Sequence, residues 1–292
     1  MKTRWKEILF PLGRIVLAVL LVGGSVAVAQ VLVKALEDVL SLGGAVPAIY
    51  YVAYLLVGVL VAYFVYRAYV RFVEKRTATE LSGKGAPREL GVGMLLGFGL
   101  VSVCIGLLWL LGDYHVAGIG VWTTLFVLLA NNGAGAFVEE VLLRGVVFRI
   151  SEEKLGTWIA LAISAVLFAL LHLASANATV TSVIVVGLEG GVLLSAAYVL
   201  TRRLWLAIGI HFAWDFSQDY LFGVSRGVDG LVQGRITGPA LLSGGSAGLE
   251  GSSLALILCL IASAYLLARA ARKGTFVKPP RGRGGEKVRV AS

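Results

Sequence analysis

Charged side chains and cysteines are scarce in this chain of 292 residues. Charged residues make up 15% of it and hydrophobic residues 58%, with a mean hydropathy of +0.87. Soluble domains carry about 25% charged residues, so a water-soluble enzyme and a disordered linker are both excluded. The two cysteines, Cys104 and Cys259, lie in apolar runs, which excludes a disulfide framework. The composition predicts an all-α polytopic membrane bundle.

The basic excess does not indicate nucleic-acid binding. The net charge is +9, but no basic segment is interleaved with aromatic residues as a nucleic-acid surface requires. In a membrane protein such an excess is typical of cytoplasmic loops. We therefore expect a lipid bilayer, and no nucleic acid, around this chain.

Apolar runs bounded by charges predict about eight transmembrane helices. The predicted spans are 15–33, 46–66, 91–112, 119–150, 156–175, 179–200, 204–222 and 253–271. With the N-terminus inside, every Lys and Arg except Lys34, Arg226 and Arg235 falls on the cytoplasmic side, which predicts an N-in, C-in topology. The first run continues to Val33, longer than a signal-peptide core, which favours a retained helix over a cleaved one.

Four regions follow from these spans: N-terminal transmembrane helices over 1–118, a central region over 119–222, an external Gly-rich loop with the last helix over 223–271, and a basic tail over 272–292. The loop is predicted to be irregular or re-entrant. The tail is rich in Pro, Gly and Arg, which predicts a disordered cytoplasmic end. No internal repeat is visible, so the inverted-repeat pattern of many transporters is missing.

Three groups of ionisable residues interrupt the central helices, although a charge at the bilayer centre costs about 2.5–3.5 kcal/mol. They are EExxxR at Glu139–Arg144, FxxxH at Phe168–His172 and HxxxD at His211–Asp215. Residues four apart share a helix face, so Glu140 and Arg144 are expected to pair. Glu139 is turned about 100° away and is predicted to face the bundle interior.

These side chains predict hydrolytic chemistry if they meet in one cavity. A carboxylate and two imidazoles can hold and activate a water, with or without a divalent metal such as zinc. Glu139 is the candidate general base, and His172 is expected to help bind the water or the metal. His211 and Asp215 either polarise a carbonyl and stabilise the oxyanion or complete the metal shell. All four are candidate metal ligands.

Structural explanations compete with this hypothesis. A membrane Glu–Arg pair is often only structural, and a membrane histidine is often an interhelical hydrogen-bond partner. Glu189 is a further buried acid, which is considered as a supporting partner of the site residues and is not included among them. The alternative functions are a non-catalytic immunity or scaffold protein and, with less support, a transporter.

The order EExxxR, FxxxH, HxxxD on successive hydrophobic helices resembles the CPBP (CAAX protease and bacteriocin-processing, or Abi) family of intramembrane proteases, which includes the type II CAAX prenyl endopeptidases. The resemblance covers about 120–222. It implies a helical membrane fold and hydrolysis of a peptide bond in a membrane-anchored or lipidated substrate, in the cell membrane. It also implies that Glu139 and His172 activate water, with Glu140 and Arg144 in the same motif, while His211 and residue 215 stabilise the oxyanion.

Position 215 departs from the prenyl endopeptidases, which have Asn where this chain has Asp. An ionised Asp cannot donate a hydrogen bond to an oxyanion. Asp215 must therefore be protonated, orient His211 or bind a metal. Prenylated proteins, bacteriocin-like peptides and membrane-anchored regulators all stay open as substrates.

Overall fold

The computed structural model describes residues 2–39, 48–174, 178–225 and 227–280, and these are almost entirely helical. The α-helices are α1 (Lys2–Val39), α2 (Ala48–Phe72), α3 (Ala86–Leu110), α4 (Thr124–Glu140), α5 (Arg149–Leu155), α6 (Thr157–Leu171), α7 (Val180–Val186), α8 (Val192–Thr201), α9 (Trp205–Phe216), α10 (Ala240–Ser243) and α11 (Ser253–Arg272). Three π-helical turns join or extend them at Val141–Phe148, Gly187–Gly191 and Ser217–Leu221. Short 3₁₀ turns lie at Thr79–Leu81, His172–Ala174 and Gly245–Gly251.

The predicted fold class is confirmed. Within the described ranges, seven helices are long and apolar enough to cross a membrane: Phe10–Val39, Ala48–Phe72, Ala86–Leu110, Thr124–Leu155, Thr157–Ala174, Val180–Thr201 and Gly245–Arg272. The predicted span 204–222 forms α9 with its π-helical extension to Leu221. At 1.5 Å per residue this helix is about 26 Å long, slightly shorter than the hydrocarbon core of a bilayer. The N-in, C-in topology stays a prediction.

The loops outside the bundle are more ordered than the sequence indicated. Strand β1 (Tyr114–Ile119) pairs antiparallel with β2 (Val232–Ile236), with Tyr114 opposite Ile236. The loop after 223 then forms α10 and a 3₁₀ turn before α11. The prediction of an irregular or re-entrant loop over 223–251 is therefore wrong for much of its length, because its ordering depends on a strand far away in the sequence.

The first part of the tail also packs against the bundle. The Thr157 N–H donates to the Val277 carbonyl at 3.0 Å, and the Val277 N–H donates to Thr157 Oγ1 at 2.8 Å. Phe276 stacks on Trp158 with ring centroids 5.3 Å apart. The predicted disorder of 272–292 is thus wrong for 273–280, where apolar and backbone partners are present. Residues 281–292 lie outside the described residues.

Close backbone contact between α3 and α9 positions two of the site residues. A Cβ on Gly97 would lie 2.4 Å from the Ile210 carbonyl oxygen, and one on Gly209 would lie 2.3 Å from the Leu90 oxygen. Small residues permit such helix contacts in membranes. The contact fixes the part of α9 that leads directly into His211.

A buried carboxylate, Glu74, joins the ends of several helices on the predicted cytoplasmic side. Its side chain lies 2.6 Å from Arg14, 2.6 Å from Arg149 and 2.7 Å from Arg76. Burial alone would raise the pKa of Glu74, but the three guanidinium groups, Arg149 foremost, lower it to about 2. The cluster ties α1 and the chain after α2 to α5.

Candidate active site

Each of the three π-helical turns adjoins a residue of the candidate site. The first begins directly after Glu140 and contains Arg144, the second contains Glu189, and the third begins two residues after Asp215. A π-helical turn breaks the regular hydrogen-bond ladder, and such turns are common at functional sites. In the second turn, the Gly190 carbonyl accepts a hydrogen bond from Arg144.

The expected Glu140–Arg144 pair forms, and it is completely buried. Arg144 Nη1 donates to Glu140 Oε1 at 2.7 Å, with both side chains at 0% exposure. Arg144 Nη2 donates to the Gly190 carbonyl at 2.9 Å, and the guanidinium lies 5.0 Å from the centre of the Phe168 ring. The topology count placed Arg144 among the cytoplasmic cations. This placement is wrong, because Glu140 and the π-helical carbonyl provide partners inside the bundle.

His211 links both carboxylates of the first motif to α9. Its Nδ1 lies 3.0 Å from Glu140 Oε1, and because a carboxylate only accepts, Nδ1 carries a hydrogen. Its Nε2 lies 3.3 Å from Asp215 Oδ2 and 3.9 Å from Glu139 Oε2. Three of the predicted residues, Glu139, Glu140 and Asp215, therefore meet around the imidazole of the fourth.

The two adjacent glutamates differ sharply in accessibility. The Glu139 side chain is 41% exposed, whereas that of Glu140 is 0% exposed. Glu140 is held by Arg144 and His211, while Glu139 has only the longer 3.9 Å approach to His211. This arrangement leaves Glu139 as the carboxylate that can meet a water or a substrate.

His172 approaches the group from the end of α6. Its Nδ1 lies 2.8 Å from the Phe168 carbonyl oxygen, so Nδ1 carries the hydrogen and Nε2 is left as an acceptor. The Phe168 ring stands between the histidines, 4.7 Å from His172 and 5.9 Å from His211 between centroids. His172, His211 and Asp215 line one inner cavity of about 50 Å³.

The divalent metal expected from the sequence stays a prediction. Among the described residues, no three His, Cys, Asp or Glu side chains lie where they could hold a metal ion. Nδ1 of His172 is bonded to the Phe168 carbonyl and Nδ1 of His211 to Glu140, an arrangement that is also common in metal-binding histidines and does not decide the question. As arranged, the described residues do not complete a metal site, and side chains and water provide the proposed chemistry.

Sequence reasoning missed the acids contributed by other parts of the chain. A larger polar cavity of about 350 Å³ is lined by His172, Gln218, Asp219, Glu250 and the exposed Ser246, among others. It shares His172 and Glu250 with the inner cavity. Asp219 accepts a hydrogen bond from Asn132 Nδ2 at 2.9 Å. Asp219 lies four residues after Asp215, a spacing that was available as a signal, whereas nothing around Glu250 indicated its position.

Comparison with known proteins adds evidence that does not depend on this geometry. Residues 120–217 match the family model described as type II CAAX prenyl endopeptidase Rce1-like. No curated protein and no solved structure matches. The matched segment contains all three motifs, and at family level it supports a CAAX-type intramembrane protease. Residues 120–217 therefore form a domain similar to the Rce1-like type II CAAX prenyl endopeptidases, which agrees with the order of the motifs.

Proposed function

We propose that this protein is an intramembrane endopeptidase that hydrolyses a peptide bond of a membrane-anchored, lipidated substrate, including prenylated CAAX proteins. The observation that carries the proposal is the difference in side-chain exposure between Glu139 and Glu140. One carboxylate is accessible beside His211, and its neighbour is locked by Arg144 and His211. A general base needs this combination of access and fixed surroundings.

In the proposed mechanism Glu139 removes a proton from the attacking water. His172 accepts a hydrogen bond from the same water through Nε2, because its Nδ1 hydrogen is used by the Phe168 carbonyl. The Arg144–Glu140 pair holds the helix that carries Glu139 and fixes the ring of His211. Each of these groups thus orients the water or the base before the reaction starts.

His211 is the proposed donor to the oxyanion. Glu140 faces Nδ1 and Asp215 faces Nε2, and carboxylates at both ring nitrogens favour an imidazolium. An imidazolium donates from both nitrogens, so Nε2 can stabilise the negative charge that develops on the carbonyl oxygen. The contact of Asp215 with His211 supports the orienting role among the three roles that were open for this residue.

The lipid environment supports the proposed substrate class. The site residues lie on helices that are long and apolar enough to cross a membrane, or on α9 packed between them. A substrate carried into the bilayer by a lipid anchor would bring its polypeptide close to these helices. The family match supports a prenylated substrate at this site. We propose the cell membrane as the location.

The test is mass spectrometry of a peptide panel incubated with protein reconstituted in lipid vesicles. Each peptide is supplied in a prenylated and a plain form, with wild type beside Glu139→Gln and Glu37→Gln. Glu37 pairs with Lys34 at the end of α1 and lines neither cavity of the site, so its variant controls for the loss of one carboxylate. We expect wild type and Glu37→Gln to cleave prenylated peptides and Glu139→Gln to lose at least about 100-fold in rate.

Equal cleavage by wild type and Glu139→Gln would overturn the assignment of the base. An absence of cleavage by folded wild-type protein across the panel would favour the immunity or scaffold alternative. Equal rates on prenylated and plain peptides would refute the proposed substrate class but not the proteolysis.

A further inference from the structure

Glu189 is a buried acid that the proposed mechanism leaves unused. It is 4% exposed, and its Oε1 has no hydrogen-bond partner among the described residues. It lines the inner cavity together with His172, His211, Asp215 and Glu250. An isolated ionised carboxylate in such a place is so costly that the neutral acid is favoured. Glu189 therefore offers a carboxylic acid proton beside the candidate catalytic residues.

The position of Glu189 is coupled to the site through its own π-helical turn. The carbonyl of the next residue, Gly190, accepts from Arg144, which also holds Glu140. A Cβ on Gly190 would lie 2.6 Å from the Phe168 ring, so only glycine lets this turn pack so closely. The backbone at Glu189 is thereby fixed relative to Glu140 and to the histidines.

A route for protons leads from Glu189 to the larger cavity. Glu250 lines both cavities, and the larger one reaches the exposed Ser246. No Lys or Arg lines either cavity among the described residues, and the proposed imidazolium of His211 is already paired with Glu140 and Asp215. A proton lost by Glu189 can be replaced from water through Glu250.

We propose that Glu189 is the general acid of the reaction and donates its proton to the departing amine. This proposal rests on the proposed function. Water adds to the scissile carbonyl as Glu139 takes one of its protons, which forms a tetrahedral intermediate. The C–N bond then breaks, and its electron pair, left on nitrogen, takes the Glu189 proton. The products are a carboxylic acid and an amine, with Glu139 left protonated and Glu189 left as a carboxylate. Glu139 then releases its proton to water, and Glu189 regains one from water through Glu250, so both groups return to their starting states.

The competing mechanism lets Glu139 return to the amine the proton that it took from water. The two mechanisms differ in how they depend on the leaving group. An amine cannot depart from the intermediate without a proton, whereas a nitrophenolate can depart without one. An acid that serves only the leaving group therefore matters for an amide and not for a nitrophenyl ester.

The experiment uses full-length protein in lipid vesicles and two substrates. One is a prenylated peptide amide that wild type cleaves, and the other is the same prenylated acyl segment as a nitrophenyl ester. Glu189→Gln, Glu139→Gln and Asp229→Asn are compared with wild type, where Asp229 is an exposed residue outside both cavities. We expect Glu189→Gln to lower kcat for the amide about 100-fold or more and kcat for the ester less than about threefold. Glu139→Gln should lower both, and Asp229→Asn neither.

Because both rates come from one preparation, their ratio is independent of the fraction of folded protein. Glu189→Asp, read by the same ratio, provides a second variant that retains an acid at greater distance, and its ratio should lie between those of wild type and Glu189→Gln. Equal losses on the amide and the ester, or no loss on either, would overturn the role of Glu189 while leaving the protease assignment in place. If Glu139→Gln retains both activities, the assignment of the base fails, and if folded wild-type protein cleaves neither substrate, the proposed function itself fails.

Discussion

Arg144 donates to Glu140 across one helical turn at 2.7 Å, and neither side chain has exposed surface. A buried ion pair of this kind contributes little net stability, but removing one partner leaves the other charge buried without a partner. The pair therefore makes two different predictions, one for a single substitution and one for a double substitution.

Arg144→Met should destabilise the protein by about 3–5 kcal/mol, since it leaves Glu140 buried without its cation. Glu140→Gln combined with Arg144→Met should recover about half of that loss or more, because no buried charge then lacks a partner. Thermal unfolding in detergent measures Arg144→Met, Glu140→Gln and the double variant. A double variant as unstable as the sum of the singles would contradict the coupling. Activity should stay lost in both, because Glu140 also fixes His211.

Gly190→Ala should destabilise by about 1–3 kcal/mol and lower activity, because its Cβ would meet the Phe168 ring at 2.6 Å. The matched control is Gly106→Ala on α3, where a Cβ meets nothing within 4 Å. Adding Phe168→Leu to Gly190→Ala should restore part of the stability. Unfolding temperatures and peptide cleavage of the three variants test this, and equal effects of the two alanine substitutions would refute the packing argument.

Asp215→Asn should keep kcat/KM within about tenfold of wild type, because an amide oxygen can replace Oδ2 at its 3.3 Å contact with His211. Asp215→Leu removes the contact and should lower kcat/KM by about 10- to 100-fold, the usual effect of losing a group that orients a histidine. Steady-state cleavage of the best peptide from the panel compares them. If Asn and Leu are equally harmful, the charge of Asp215 matters more than its contact with the ring.

Glu74 predicts an acid-dependent part of the stability. Its folded pKa is about 2 against 4.5 for a free carboxyl, so its contribution is fully present above about pH 4.5 and is lost as the pH falls toward 2. The difference in unfolding temperature between wild type and Glu74→Gln should therefore be largest at neutral pH and shrink below about pH 4.5. Unfolding scans over this range measure it. A difference that does not change with pH would exclude ionic stabilisation by Arg14, Arg76 and Arg149.

Helical spacing was enough to predict the contacts made within one helix. The i, i+4 relation paired Glu140 with Arg144 and His211 with Asp215, and both contacts are present. That relation depends only on helix geometry, which the apolar runs indicated well. The convergence of α4 with α9 was inferred from the combined motifs and not from either helix alone.

No comparable pattern in the sequence predicted the contacts between distant segments. Tyr114 pairs with Ile236, and Phe276 packs on Trp158, across separations of more than 100 residues. The π-helical turn that carries Glu189 was also hidden, because one extra residue in a turn leaves no periodic trace in a short Gly-rich stretch. The share of the site contributed by Glu189 and Glu250 could be found only from three-dimensional packing.

The hydrogen bonds between Val277 and Thr157 connect the C-terminal segment to the helix that leads to the site. Helix α6 starts at Thr157, to which the C-terminal segment is hydrogen-bonded. It ends directly before His172, the residue proposed to bind the attacking water. A proteolytic cut, a bulky fusion or a bound partner that lifted residues 276–280 would free the first turn of this helix. A rigid rod about 23 Å long would then carry the disturbance to the imidazole at its other end. Tags attached to this protein are therefore best placed beyond residue 280.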